Sequence, residues 1–468
     1  MKILFIYPQI NLIIGDGHRD GLPCTITPPL GALYLSSYLT KEGHSVKVID
    51  YNAEVFNYES LANEIRSSDM VCMTVISSYT ISPSSHSSLK LTKAIREIDP
   101  DIPFIIGGPH CSLYPEESLN YLNATVSVEG EAELVINDIA KAFEGKKDLS
   151  IIPGIYYKEN GAVKKGMPPT FYNNLDEILF PSRDLVKKYQ YGTAYISKAK
   201  AGEFTSLITT RGCPSRCTFC QRNFFGMKSF RMRSSENVIE ELREIYSQGY
   251  KYAIFVDDNF LTDVKRAIRI MDGIIKEKID MRLYIMGARV DSANRELYEK
   301  MRDAGVVWVS YGIESGNQEV LDFYNKGITL AKIKEAVELG DEMGFLNAGT
   351  FILGAPMETK KHFDNTIRFA QSLRLDEVEF FRLEYRTGSK LWEDAVKEGK
   401  IKPTEYEVSA DVGRGLSNYT KEYIQDYCRK AFLRFYIRPS YRINQMKKKL
   451  KNENFRFAKN NFPYAPLI

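Results

Sequence analysis

The chain is poor in cysteine, histidine and tryptophan, with seven, five and two in 468 residues. Seven cysteines over that length do not make a disulfide framework, a device of small secreted domains. No uninterrupted apolar run reaches the ~18 residues a bilayer-spanning helix requires, and membrane contact is not expected. Neither sign of charge is in surplus. Lys and Arg number 63 against 60 Asp and Glu, a net charge of +3. The chain as a whole therefore carries no field that would select an acidic partner, and no nucleic acid is expected. The first residues, Met1–Pro8, lack a signal-peptide cleavage pattern and read as a strand, so the expected location is the reducing cytoplasm.

Three of the few cysteines are gathered in one stretch, Cys213-Pro-Ser-Arg-Cys217-Thr-Phe-Cys220. It follows an apolar run, Phe204–Thr210, that reads as a strand, and Gly212 lets the backbone turn out of it. Four thiolates saturate a cubane iron–sulfur cluster, whereas three leave one iron open to a ligand. Structural zinc wants four donors, commonly as two close pairs, and no second pair or nearby histidine exists. The motif, with its aromatic residue before the last cysteine, resembles that of the radical S-adenosylmethionine (SAM) superfamily. The resemblance implies a [4Fe-4S] cluster held by Cys213, Cys217 and Cys220. SAM is then chelated by the open iron and split by one electron into methionine and a 5′-deoxyadenosyl radical. A flavodoxin or ferredoxin would supply that electron.

Residues 201–395 read as the catalytic domain. Strand patterns at Phe204–Thr210, Tyr252–Val256, Arg282–Gly287, Val306–Gly312, Asn347–Leu353 and Glu377–Leu383 alternate with helical patterns. This alternation predicts a partial (β/α)6 barrel with functional groups at the carboxyl ends of its strands. The resemblance assigns Asp257 and Asp258 to the SAM amino group, Arg289 to its carboxylate and Glu314 to its ribose. Gly354 would let the adenosyl group lie on the backbone.

Residues 1–145 alternate apolar runs with helical patterns and predict an α/β fold, a doubly wound Rossmann-like sheet. Its strand ends carry Ser77-Ser78, Gly107-Gly108-Pro109-His110 and Glu129-Gly130-Glu131. Glycine pairs let a flat ligand approach the backbone, and serine or carboxylate groups can bond its amides. These loops resemble the cobalamin-binding domain that precedes many radical SAM modules, which implies cobalamin contacts at all of them. Asp16-x-His18-x-x-Gly21 fits the letters of the motif whose histidine ligates cobalt in cobalamin-dependent mutases, making His18 the candidate cobalt ligand; a solvated loop is the competing reading. His110 is expected to shape its loop.

Residues 146–200 form a connector with a hairpin turning at Asn160-Gly161. Residues 396–468 form a helical region whose basic run, Lys447-Lys-Lys-Leu-Lys451, reads as a solvated helix face. The composite resemblance implies a cobalamin-dependent radical SAM enzyme that transfers a methyl group to an unactivated carbon of a small-molecule or peptide substrate. Ring closure or rearrangement on the same scaffold is an alternative. So is methylthio transfer, which would need a second cluster on Cys24, Cys72 and Cys111. Cys72 lies inside the apolar run Met70–Ile76, however, and is expected to pack as a small apolar group.

Overall fold

A computed structural model describes residues 1–9, 27–75, 87–193, 199–221 and 230–451. These divide into two compact units, one ending at Thr205 and one beginning at Ser206.

In the first unit, β1 (Lys2–Tyr7), β2 (Ser45–Asp50), β3 (Met70–Thr74), β4 (Phe104–Gly107) and β5 (Val126–Val128) run parallel in the order β2-β1-β3-β4-β5. Helices Leu30–Lys41, Tyr58–Arg66, Ser87–Ile98 and Ile136–Phe143 lie along the crossovers. Strands covered on both faces read as unbroken apolar runs; Ile3, Leu4, Phe5 and Ile6 are all buried. The strand order reverses between β1 and β3, and ligands of such sheets sit beyond the carboxyl ends at that reversal. The hairpin of β6 (Ile155–Glu159) and β7 (Ala162–Lys165) turns at Asn160 and Gly161, whose φ angles of 51° and 78° suit a type I′ turn. It is more than a strap. β6 pairs antiparallel with β5 and extends the sheet by two strands.

The second unit opens with β8 (Phe204–Leu207), which crosses the boundary, and a short ribbon of β9 (Thr210–Arg211) with β10 (Arg231–Met232). Then come β11 (Tyr252–Phe255), β12 (Arg282–Ala288), β13 (Val306–Glu314), β14 (Leu346–Leu353) and β15 (Glu377–Arg382). Their order is β15-β14-β13-β12-β11-β8, an open six-stranded barrel wall in which the first and last strands are not neighbours. Side-chain caps start the intervening helices: Ser234, Asp263, Asn294 and Thr329 each accept an amide of the first turn. Each cap ends the loop that leads into its helix, so the helix begins at a fixed point. A small ribbon, β16 (Glu384–Arg386) with β17 (Glu407–Ser409), follows.

Helix Lys421–Tyr436 buries Tyr427, Cys428, Phe432 and Phe435, and helix Pro439–Lys451 follows it. Here one expectation is corrected. Lys448 does not lie on a solvated face; its ammonium is 2.8 Å from both Asp341 and the buried Asp376, which Gln445 also bonds. No helix among the described residues is long and apolar enough to cross a membrane.

Candidate functional site

The cysteine loop leaves β9 through Gly212, at φ 83°, where a side chain would be strained. Cys213, Cys217 and Cys220 are half-buried. Bonds to residues around the end of helix Gln318–Phe323 and the start of helix Lys390–Lys397 fix the loop. Thr218 N donates to the Tyr324 carbonyl at 2.9 Å, Leu391 N to the Thr218 carbonyl at 2.9 Å, and Asn325 Nδ2 to the Arg216 carbonyl at 2.9 Å. Gln221 Nε2 reaches the Thr387 carbonyl, also at 2.9 Å. The Phe219 ring packs edge-on against fully buried Tyr324, centroids 5.1 Å apart, with Lys326 Nζ 5.9 Å from its centre. This is an apolar roof next to the sulfurs.

Among the described residues, no three His, Cys, Asp or Glu side chains converge as ligands of one ion. A cubane takes one sulfur per iron, and its corners lie farther apart than the donors around a single metal. Three thiols on one fixed loop supply three of the four sulfurs such a cube takes from protein and leave one iron open.

The strand that launches the loop is braced from below by a polar network the sequence reading did not anticipate. Asp257 Oδ1 accepts Thr209 N and Oγ1, both at 2.9 Å, and Thr210 Oγ1 at 2.6 Å. Burial raises this carboxyl above its ordinary value, against those bonds and Arg266. Arg266 bonds the carbonyls of Arg233 and Thr209 at 2.6 and 3.1 Å, and Arg233 pairs with buried Glu241. Asp257 is thus placed on the threonines of the launching strand, while Asp258 beside it is half-buried.

Glu314 closes β13 at a register shift, with φ 69°, a left-handed conformation rare outside glycine. Its Oε1 lies 2.7 Å from Lys326 Nζ, and both side chains are only 8% exposed. Gly312 leaves room for that pair: a Cβ there would come within 2.7 Å of Glu314 Oε1 and 2.9 Å of Lys326 Nζ. The Arg289 guanidinium bonds Asp291 through Nε and Nη2, bonds the Lys326 carbonyl at 2.7 Å through Nη2, and points Nη1 at Cys217 Sγ, 3.9 Å away. Lys326 and Asp291 were both missed; neither lies in a recognisable motif.

After β14, Gly354 (φ 112°) turns the chain, and the side where a Cβ would stand is filled by Ile424 and Ala410. Fully buried Glu358 accepts Gly354 N at 2.7 Å and Ala355 N at 2.8 Å on one oxygen. Burial, opposed by those two amides, pushes its carboxyl up to about 7. A raised carboxyl pKa favours the protonated folded state. The resulting stability is complete below the unfolded value, 4.5, and is lost as pH climbs through about 7. Between pH 5 and 8 the unfolding free energy is expected to fall by up to roughly 3 kcal/mol from this group. Denaturation of wild type and Glu358→Gln at both pH values checks it: the variant should lose much of the slope, leaving that of Glu377, which burial also pushes up to about 7.

In the first unit, Gly108 (φ 106°) leads into the Pro109 helix because a Cβ there would strike the Val75 carbonyl at 2.9 Å. Gly107 has open space beyond ordinary contact with Val128, leaving room for a ligand at the end of β4. His110 is buried against Tyr114, and burial pushes its imidazole down to about 4, in keeping with a loop-shaping role. In the turn after β5, Glu129 is raised by burial, Gly130 N donates to Ser112 Oγ at 3.0 Å, and Glu131 accepts Tyr172 N at 2.8 Å. A Cβ on Gly130 would meet the Phe171 ring at 3.1 Å. Connector residues therefore seat on the Glu-Gly-Glu turn. Ser77, Ser78, His18 and Cys24 lie outside the described residues. Cys111 packs with Val71 and Met73 on one face of the sheet, and Cys72, between those two in β3, points to the other.

Two family models match the chain: the radical SAM superfamily over residues 207–370 and the B12 binding domain over residues 25–140. An uncharacterized methyltransferase of Pyrococcus horikoshii is 32% identical over 95% of this chain and 95% of its own length. The anaerobic magnesium-protoporphyrin IX monomethyl ester cyclase of Cereibacter sphaeroides is 26% identical over 79% of this chain and 60% of its own length. The solved structure of OxsB, a cobalamin-dependent SAM radical enzyme with aqua-cobalamin and SAM bound, superposes with a TM-score of 0.69 at 19% identity, covering 92% of this chain and 66% of that one. It shares the fold.

Proposed function

The chain belongs to the cobalamin-binding radical SAM enzymes, and from that premise we propose that it transfers a methyl group to an unactivated carbon of a small-molecule or peptide substrate. The observation that carries the reading is 32% identity, over 95% of both chains, with an uncharacterized methyltransferase, in a chain that itself joins a B12-binding match to a radical SAM match. Its cofactors are a [4Fe-4S] cluster, SAM and cobalamin. When bound at Cys213, Cys217 and Cys220, the cluster with SAM would supply hydrogen-abstracting radical chemistry, and cobalamin would supply methyl-transfer chemistry.

The chain's own residues have the following parts. Cys213, Cys217 and Cys220 hold the cluster, and Phe219 with Tyr324 shields it from water. Glu314, paired with Lys326, and Asp258 would orient the hydroxyl and amino groups of SAM. Gly107 and the Gly108–His110 turn give cobalamin a close approach at the end of β4. Radical transfer works only if these contacts hold the reacting atoms near one substrate carbon.

Methylthio transfer is disfavoured by Cys72 and Cys111, which point to opposite faces of the first sheet and cannot share a cluster without refolding it. Ring closure is kept by the cyclase relative. Anaerobic reconstitution with iron, sulfide, hydroxocobalamin, SAM and a low-potential reductant separates the cases. Deoxyadenosine together with S-adenosylhomocysteine supports methyl transfer. Deoxyadenosine alone points to closure or rearrangement, and cobalamin uptake with neither product defeats the enzymatic reading.

A further inference from the structure

Arg289 follows the end of β12 with its side chain only 13% exposed. An arginine meant to grip a cofactor carboxylate offers two adjacent N–H groups as a fork. Here the Nε–Nη2 edge is taken by Asp291, at 3.1 and 2.9 Å, and Nη2 is shared with the Lys326 carbonyl at 2.7 Å. Those contacts come from different loops and lock the guanidinium plane. Its remaining nitrogen, Nη1, faces Cys217 Sγ at 3.9 Å. Asp291 is 42% exposed, so water screens its charge more than that of the arginine it holds.

We propose that Arg289 is a positioning residue of the iron–sulfur centre, a fixed cation beside the Cys217 sulfur that raises the reduction potential of the cluster. This rests on the cluster reading above. The step concerned is the addition of one electron from an external low-potential donor to the oxidised cluster. No bond breaks and no proton moves; the cube and its sulfurs gain one negative charge. A cation held at the sulfur stabilises the reduced form more than the oxidised form, and does so strongly where little solvent intervenes.

The test is a redox titration, without SAM, of reconstituted wild type, Arg289→Gln and Asp291→Asn, read by the EPR signal of the reduced cluster. Iron content and visible spectra come first. Wild type without a cluster would overturn the functional reading and this one together. With clusters present, Arg289→Gln should lower the reduced-to-oxidised ratio at a fixed poise about tenfold, which is 59 mV for a one-electron couple. Asp291→Asn, which strips the cation of its counter-charge, should raise that ratio about threefold. A merely structural arginine would not give opposite signs. A ratio for Arg289→Gln within about twofold of wild type overturns the proposal. If that variant fails to assemble a cluster, an unchanged or lowered ratio in Asp291→Asn overturns it instead.

Discussion

Glu314→Gln is expected to destabilise the barrel unit by about 3–5 kcal/mol, the range for removing one partner of a buried ion pair. The substitution keeps the shape of the side chain but leaves the Lys326 ammonium, 8% exposed and 2.7 Å from the lost carboxylate, without its counter-charge. The loss arises mainly from that stranded charge. Lys326→Met in the same chain should therefore recover a large part of it, since replacing both charges by uncharged groups is often close to neutral. Denaturant unfolding of the wild type, both single variants and the double variant closes the cycle. A single-variant loss below about 1 kcal/mol would place the pair in the class of solvent-exposed bridges. The loss should also reach the cysteines. The loop that carries Lys326 carries Tyr324 and Asn325, whose carbonyl and side chain fix Thr218 and Arg216. Iron retention in the single variant should fall with stability and return in the double variant.

That pair shows where sequence reading stops. Glu314 was legible because it follows an apolar run, Val306–Gly312, at a strand end where the resemblance puts a ribose contact. Lys326 was not, because its partnership depends on a loop folding back over the strand end and on the missing side chain at Gly312. The same distinction holds across the molecule. The cysteine loop is local, and its spacing alone identified it. The hairpin at Asn160-Gly161 was legible from its turn, but its pairing with β5 was not, since strand partners are chosen by non-local packing. Lys448 looked like one of a solvated basic run because Asp341 and Asp376, which hold it, are far away in sequence. Asp257 was assigned to a cofactor by the resemblance and its position after a strand; its partners Thr209 and Thr210, at the start of β9, could not be seen from there. Glu358 did leave a signal. A carboxylate four residues past a glycine can reach back to the turn's amides, as it does here.

Cys217→Ala should abolish the brown colour of the reconstituted protein, most of its iron, and deoxyadenosine formation, while changing the unfolding free energy of the iron-free chain by less than about 1 kcal/mol. The thiol is half-buried in a loop whose backbone is fixed by amides and carbonyls, so little packing is lost. Cys72→Ala and Cys428→Ala should behave in the opposite way. Both thiols are buried and raised by burial, which keeps them protonated and apolar in behaviour. Their removal should lower stability by about 1 kcal/mol or more and leave iron untouched. Cys111 is the decisive case, because a second cluster would have to draw on it. It sits in the hydrophobic core of the first unit with its thiol raised by burial, next to Ser127 and Ser118. Cys111→Ala should keep the wild-type iron content of about four per chain, the complement of one cubane. If the wild type instead held about eight irons per chain and Cys111→Ala halved that number, the sheet would have to open around a second cluster, and the reaction would move from methyl to methylthio transfer.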